Sequence, residues 1–203
     1  MPYRNCRPSD FPPLLPIIRM LTKLAFREVD NNNWCDFEAL FAARGGPKSC
    51  WCMVWRATAA EAKTTDGNSR KTAIHSRVRN GVPIGLLGYF ADEPVAWCSI
   101  APRATYRPLG GPDDFGDAPD AVWSLACFFI RRDLRRKGVG EEMLNAAIAH
   151  ARRKGGKILE AYPVDANSPS YRFMGFVSLF ERAGFKAISR AGTRRHVMRL
   201  SLG

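Results

Sequence analysis

At 203 residues the chain can bury one sizeable core and is too short for two ordinary domains. Hydrophobic residues make up 46% and charged residues 25%, which excludes a disordered chain, and no apolar run reaches membrane-spanning length. The formal net charge of +12 calls for an anionic partner, either a nucleic acid or a nucleotide cofactor with several phosphates.

Residues 1–10 read as loosely ordered. Arg4, Arg7 and Asp10 stand there among prolines, so no secretory leader is expected and the expected location is cytoplasmic. Residues 14–21 predict a first strand, confined to an edge by Pro12, Pro13 and Pro16. Residues 26–33 are polar, end in three asparagines and read as a loop or insertion. Residues 34–43 predict a short amphipathic helix with Phe37, Leu40 and Phe41 inward. Asn33 is its candidate N-cap, and Gly45-Gly46-Pro47 stops it.

The run Cys50-Trp51-Cys52-Met53-Val54-Trp55-Arg56 alternates as a strand would, with Cys50, Cys52 and Val54 on one face. A zinc site needs about four ligands. Cys-x-Cys here has no second half and no nearby histidine, so no metal is expected. Two readings stay open: thiols packed in a core, or a strand lining a substrate pocket. The six cysteines are read as reduced, since a chain with this core needs no staples.

Residues 57–69 are polar. Residues 70–80 have helical spacing at Ala73, Ile74 and Val78, and Asn80-Gly81 is a stop. His75 on that helix reads as a surface or satisfied histidine rather than a base. Residues 84–91 and 95–101 predict a hairpin about Asp92-Glu93. Residues 102–121 form a long loop carrying Asp113, Asp114, Asp117 and Asp120. Its acidity either holds a cationic amine or is simply solvated.

Residues 122–130 are apolar except Ser124 and read as a buried strand. Residues 131–137 are a basic turn. From Gly138 the period becomes helical, with Met143, Leu144, Ala147, Ile148 and Ala151 on one face. A strand thus runs through a basic, glycine-containing loop into a helix N-terminus. Free backbone N–H groups and the helix dipole make such a junction an anion site. Arg152, Arg153, Lys154 and Lys157 at the far end of the helix complement its dipole. Residues 157–162 then predict a strand, 163–169 a turn and 173–183 a helix with Phe173, Phe176, Val177 and Phe180 as its apolar set. Gly184 closes that helix, and 186–189 can pair with 196–202 as the last strands.

Arg135-x-x-Gly138-x-Gly140, placed after a strand and opening a helix, resembles the pyrophosphate-binding signature of the GNAT superfamily of acyl-coenzyme A-dependent N-acetyltransferases. Leu179-Phe-Glu-Arg-Ala-Gly-Phe185 resembles the family's aromatic-Glu-Lys-x-Gly-Phe helix end, and Gly88–Trp97 resembles its second and third strands. The resemblance spans roughly residues 83–200 and is that of a bacterial-type member with an added Cys-Trp-Cys-Met strand. It implies a mixed α/β (α+β) fold with a central twisted mixed sheet of about seven strands and helices on both faces. One domain would span 1–203, with 1–82 on the acceptor side and 83–203 holding the sheet core and the acetyl-CoA site.

The resemblance also implies a reaction: acetyl transfer from acetyl-CoA, without a metal, to a primary amine of a small molecule or peptide. The cofactor would be held by Phe128, Phe129, Ile130, Arg135, Arg136, Lys137, Gly138, Val139, Gly140 and Glu141. Cys50, Cys52 and Phe180 would border the acceptor. The chain departs from the family where its acid and base usually stand. Phe180 occupies the usual tyrosine position, and residues 123–130 hold no carboxylate. Only Ser124 and Cys127 are polar there, which makes them the candidate catalytic residues; a thiol pKa of about 8.5 would match a coenzyme thiol. The alternative is an acyl-CoA-binding module with little or no catalysis. Nucleic-acid binding is set aside because aromatic–basic interleaving is missing. Dimerisation is common in the superfamily, so a homodimer is possible, but no segment declares an interface.

Overall fold

The computed structural model of the chain describes residues 24–63, 66–114 and 118–203. The strand expected at 14–21 lies outside them, as do residues 1–10. Seven strands form one mixed sheet in the order β1-β2-β3-β4-β5-β7-β6. β1 (Ala25–Glu28), β2 (Leu86–Phe90), β3 (Glu93–Pro102) and β4 (Val122–Ile130) follow one another antiparallel. β5 (Ile158–Ala161) lies parallel to β4, and β7 (Arg195–Ser201) is antiparallel to both β5 and β6 (Lys186–Ala191). A parallel pair requires a crossover, which α3 (Val139–Arg153) supplies.

Helices cover both faces. On one, Met143, Leu144, Ala147 and Ala151 of α3 pack on Ala96, Cys98 and Ile100 of β3 and Trp123 and Leu125 of β4. Phe180 of α4 (Val177–Arg182) belongs to the same core. On the other, α1 (Trp34–Ala42) and α2 (Gly67–Arg79) bring Phe37, Phe41, Ile74 and Val78 against Leu87, Tyr89 and Trp97. The period-3.6 stripes read from the sequence are these buried faces. The β2–β3 turn falls on Ala91 and Asp92, both left-handed (φ 48° and 63°), one residue earlier than expected. That pair of positive φ values matches the twist of the hairpin.

Several expectations are corrected. Residues 25–28 form an edge strand on β2 rather than a loop; four residues are too few to show alternation. Asn33 does not cap α1: its side chain accepts from Asp30 N (2.9 Å) and donates to Glu28 O (2.8 Å), tying the asparagine turn to β1. Residues 50–56 are consecutive turns, not a strand. Pro47 O collects the N–H groups of Cys50 (2.9 Å) and Trp51 (3.0 Å), and Met53 O those of Arg56 and Ala57. Trp51 and Cys52 are left-handed at φ 46° and 58°, incompatible with a strand. The helix expected at 173–183 is interrupted because Gly175 is extended at φ 89°, ψ 175°, a conformation nearly restricted to glycine. Cys35, half-buried at the start of α1, is disulfide-bonded rather than reduced, while Cys50, Cys52, Cys98 and Cys127 are free thiols.

Candidate active site

Two features meet at the C-terminal half of β4. The first is a bulge. Ser99 faces Cys127 across β3–β4, and the next β3 residue, Ile100, faces Leu125, so Ala126 has no opposite number. The second is an open edge. β5 pairs with β4 only from Val122 to Leu125, so, among the described residues, 126–130 have no ladder partner on that side. The sheet therefore splits at the bulge and leaves main-chain groups of β4 available to an extended ligand.

This open edge leads into the basic loop. Arg131 is fixed by Glu93 (3.1 Å) and by both oxygens of Asp133 (2.9 and 3.0 Å). Arg135 Nε donates to Ile130 O at 2.9 Å and folds the loop over the end of β4. Arg136 and Gly138 are left-handed at φ 61° and 83°. Alternation of this kind curls successive N–H groups into a concavity that suits anions. Among the described residues, the amides of 136–140 make no hydrogen bond within the protein, and Arg132, Arg136 and Lys137 form no ion pair. A Cβ at Gly138 would meet nothing within 4 Å, and one at Gly140 only Ile130 Cδ1 at 3.5 Å. Glu141 uses its N–H on Gly138 O (2.9 Å) and leaves its carboxylate exposed. Phe128 and Ile130 pack toward α3, and Phe129 toward α1.

Across the sheet from α3, a small cavity opens beside the bulge. It is lined by Cys50, Cys52, Ser99, Tyr106, Ala126 and Cys127, with Val54, Trp55 and Phe173 at its border. Successive residues of a regular strand point to opposite faces. Ala126 and Cys127 share one cavity because the bulge turns them the same way.

The cavity is chemically asymmetric. Cys52 Sγ accepts from Trp97 Nε1 at 3.2 Å, and Cys127 Sγ donates to Phe128 O at 3.7 Å. The neighbouring Cys127 thiol contributes most to bringing the Cys52 thiol down to about 7 despite burial; Trp97, the Arg56 guanidinium and Ser99 add to it. Cys127 moves well upward, first through the neighbouring Cys52 and then through burial. Burial, then Cys52, raises Cys50. Arg56 is itself buried, and donates to Ile84 O (2.9 Å), Ser99 Oγ (3.2 Å) and Tyr106 OH (2.6 Å). Its Nε is among the few buried polar atoms without a partner.

Cys50, Cys52 and Cys127, singled out in the sequence on separate grounds, thus converge. Ser124 and Phe180 do not join them. Ser124 is buried two residues before the bulge, bonded to Tyr162 OH at 3.0 Å. Tyr162 donates to buried Glu160, which pairs with Arg199 at 2.7 Å. Phe180 is fully buried on the α3 side, against Phe128 and Phe185, and does not border the cavity. Nor are two loop aspartates left for an amine: Asp114 binds Arg199 (2.9 Å) and Asp113 reaches Arg103 (3.5 Å). Arg56, Ser99 and Tyr106 were missed. A charged residue ending an apolar run was the only signal for Arg56. His75 is half-buried and stacked on Trp34 at 4.2 Å. Among the described residues, no group of three or more His, Cys, Asp or Glu is placed to hold a metal, and no helix is long and apolar enough to cross a membrane.

Comparison with known proteins bears on the family and the fold. Residues 48–185, more than half of the chain, match the model of the acetyltransferase (GNAT) family. No curated protein sequence matches. Among solved structures, the fold is similar to an N-acetyltransferase from Staphylococcus aureus Mu50 (14% identity, TM-score 0.54, covering 90% of this chain and 100% of that one). It is similar to yncA from Salmonella typhimurium, determined with its cofactor acetyl-CoA (17%, 0.52, 90% and 95%). PaiA N-acetyltransferase from Thermoplasma acidophilum, in complex with coenzyme A, is a third (12%, 0.53, 89% and 99%).

Proposed function

The chain belongs to the GNAT family of acetyltransferases, and from that premise we propose that it moves an acetyl group from acetyl-CoA to a primary amine of a small molecule or peptide by direct attack. The observation that carries this reading is the continuity of the open β4 edge at 126–130 with the free amides of 136–140. The fit to a pantetheine–pyrophosphate ligand is chemical. Open main-chain groups suit an amide-bearing arm. Amides curled around a left-handed glycine, with Arg132, Arg136 and Lys137 beside them, suit a diphosphate.

When bound, the coenzyme supplies an activated thioester. Phe128, Phe129 and Ile130 would align the arm, and the 135–140 loop would anchor its phosphates. The acceptor amine would approach at the bulge, beside the small cavity that has Cys50 and Cys52 on its wall. The described residues before 83 would then form the acceptor side of a single domain. Cys127 would donate the proton that the departing sulfur needs, in place of the tyrosine that Phe180 replaces. Positioning carries most of the acceleration in such a transfer.

Calorimetric titration with acetyl-CoA, paired with thioester consumption over a panel of amines, tests this. Binding with amine-dependent consumption is expected. Binding without consumption would mark an acyl-CoA-binding module instead, and no binding would remove the site.

A further inference from the structure

We propose that an exposed aromatic–arginine surface beside the bulge, centred on Trp55, Tyr171, Phe173 and Arg195, holds the first residues of an acidic peptide whose N-terminal amine is the acceptor. This rests on the transfer reading above and names the acceptor class within it. Segments far apart in sequence meet here. The turns at 50–56 bring Val54 and Trp55, the short helical turn after β5 brings Tyr171, Arg172 and Phe173, and the end of the β6–β7 turn brings Arg194 and Arg195. Val54, Trp55 and Phe173 border the cavity that Ala126 and Cys127 line, so the surface reaches the bulge. The Tyr171 ring stands 6.2 Å from Trp55 and 6.2 Å from Phe173. The Arg195 guanidinium lies 4.4 Å over Trp55 and 5.5 Å from Tyr171, and its Nη1 donates to Leu109 O at 2.8 Å.

Folding alone gives no reason for this surface. Among the described residues, Val54 (44%), Tyr171 (37%) and Phe173 (37%) are three of the four large apolar side chains that stand exposed. Tyr171 is also left-handed at φ 59°, ψ 16°, a conformation that strains a bulky residue and clusters at functional sites. Its ring gains no burial from that strain. The arginines around the rings find only neutral acceptors. Arg107 donates to Val54 O (3.4 Å), Arg172 to Ala166 O (2.9 Å), Arg194 to Ser170 Oγ (2.8 Å) and Arg195 to Leu109 O. The carboxylates of the neighbouring loops are engaged elsewhere, Asp113 with Arg103, Asp114 with Arg199 and Asp165 with His196. Four cations without a carboxylate partner complement an anionic ligand.

Openness decides what that ligand is. A small amine is held in a concave site that buries most of it, and the enclosed space beside the bulge is small. A peptide needs no enclosure. Its side chains anchor on exposed rings, and its carboxylates pair with arginines along its length. Extended chain advances about 3.3–3.6 Å per residue, so the 6.2 Å ring spacing fits side chains two residues apart, which share one face of a strand. Nucleic acid would meet the same charges, but its amines are conjugated to the bases and weakly nucleophilic. A peptide N-terminus titrates at about 7.7–8.0 and is partly free amine near neutrality.

The test compares C-terminally amidated peptides of one length, Phe-Asp-Glu-Gly-Gly-Gly, Phe-Asn-Gln-Gly-Gly-Gly and Phe-Lys-Lys-Gly-Gly-Gly. Thioester consumption gives kcat/KM, and fluorescence anisotropy of copies labelled at the C-terminus gives binding without turnover. Spermidine, free phenylalanine and a single-stranded oligoribonucleotide are the other probes. The acidic peptide should exceed its amide isostere about tenfold in kcat/KM at low salt, with the margin closing as salt screens it. Arg194→Glu should erase that margin through KM, with acetyl-CoA affinity unchanged. Tyr171→Gly should raise KM for the acidic peptide about fivefold without lowering the melting temperature, because glycine takes the left-handed conformation freely. Arg194→Glu, at an exposed position, carries the test if Tyr171→Gly does not fold. A lower melting temperature with KM unmoved is the packing result and overturns the inference. So does equal use of acidic and neutral peptides, preference for spermidine or phenylalanine over every peptide, or tighter binding of the oligoribonucleotide than of the acidic peptide. Those results leave the transfer reading standing. Salt-sensitive binding of the acidic peptide with no thioester consumed by any amine overturns the transfer reading and leaves the peptide surface; neither binding nor consumption overturns both.

Discussion

Arg135 Nε donates to the carbonyl of Ile130, five residues back, at 2.9 Å. The arginine that opens the phosphate-loop pattern is thus also the brace that holds the loop against β4. Its remaining guanidinium N–H groups face outward from an exposed side chain. Arg135→Ala removes both brace and charge. It should weaken acetyl-CoA binding by about 1.5–3 kcal/mol, the range of a hydrogen bond to a charged group. Arg136→Ala removes an exposed charge without a brace and should cost less. Calorimetric affinities of the two variants check the order; equal losses would mean that the brace contributes nothing.

The loop glycines separate backbone from ligand. Gly138 has φ +83° with empty space where a Cβ would go, so Gly138→Val pays for the left-handed conformation. Gly138→Asn should retain more affinity, because asparagine tolerates that region. Gly140→Ala meets only an ordinary contact with Ile130 Cδ1 at 3.5 Å. It should leave the melting temperature alone, so any affinity it loses reports on ligand space. A drop in melting temperature for Gly140→Ala would show that this glycine serves packing.

Long periodic elements were legible in the sequence, and local compensation was not. β4 and the inward face of α3 follow from hydrophobic period alone, because burial against a sheet dictates it. The Cys50–Arg56 segment misled because an unbroken apolar run can be read as a strand. Trp51, Cys52 and Met53 are all buried, one after another, which the chain achieves through turns with two left-handed residues rather than through a strand. Gly175 ended the expected helix at 173–183 by a conformation that the apolar spacing of Phe173, Phe176 and Phe180 does not reveal. The convergence of Cys52 with Cys127 depends on a bulge at Ala126, and no residue type announces a bulge whose extra residue is alanine.

Glu61 and Arg77 give a pH-dependent anchor for the segment that carries Cys52. Arg77 binds both Glu61 oxygens (2.9 and 2.8 Å) and also donates to Arg56 O at 3.0 Å, tying α2 to the segment that carries Cys52. The Arg77 hydrogen bonds lead in lowering the Glu61 carboxyl to about 2. An unfolded glutamate titrates at about 4.3. The folded value is the lower one, so the stabilisation is fully present above about 4.3 and is lost as pH falls through about 2. Wild type should therefore be more stable than Glu61→Gln near neutrality, with the gap closing between those values. Denaturant melts of both proteins across that range measure it; a gap independent of pH would remove the ion pair as its cause.

Phe180→Tyr would restore the aromatic hydroxyl that the family usually carries, and its outcome turns on burial. Phe180 is fully buried, with Phe128 at 6.1 Å and Phe185 at 5.2 Å between ring centroids. A Cβ on Gly175 would stand 2.7 Å from its ring, so the ring edge already lies against backbone. A new hydroxyl there meets apolar neighbours and a tight wall. A buried hydroxyl without a partner costs about 1–3 kcal/mol. The cavity holding Cys127 lies on the opposite face of β4, so the hydroxyl would not reach the group it is meant to replace. We therefore expect Phe180→Tyr to lower the melting temperature and leave the transfer rate no faster than wild type. The double variant Phe180→Tyr, Cys127→Ala should then be no better than Cys127→Ala alone. Recovery of rate in the double variant would show that the tyrosine hydroxyl reaches the leaving sulfur after all, and would move the proton donor from the thiol face to the α4 face of the sheet.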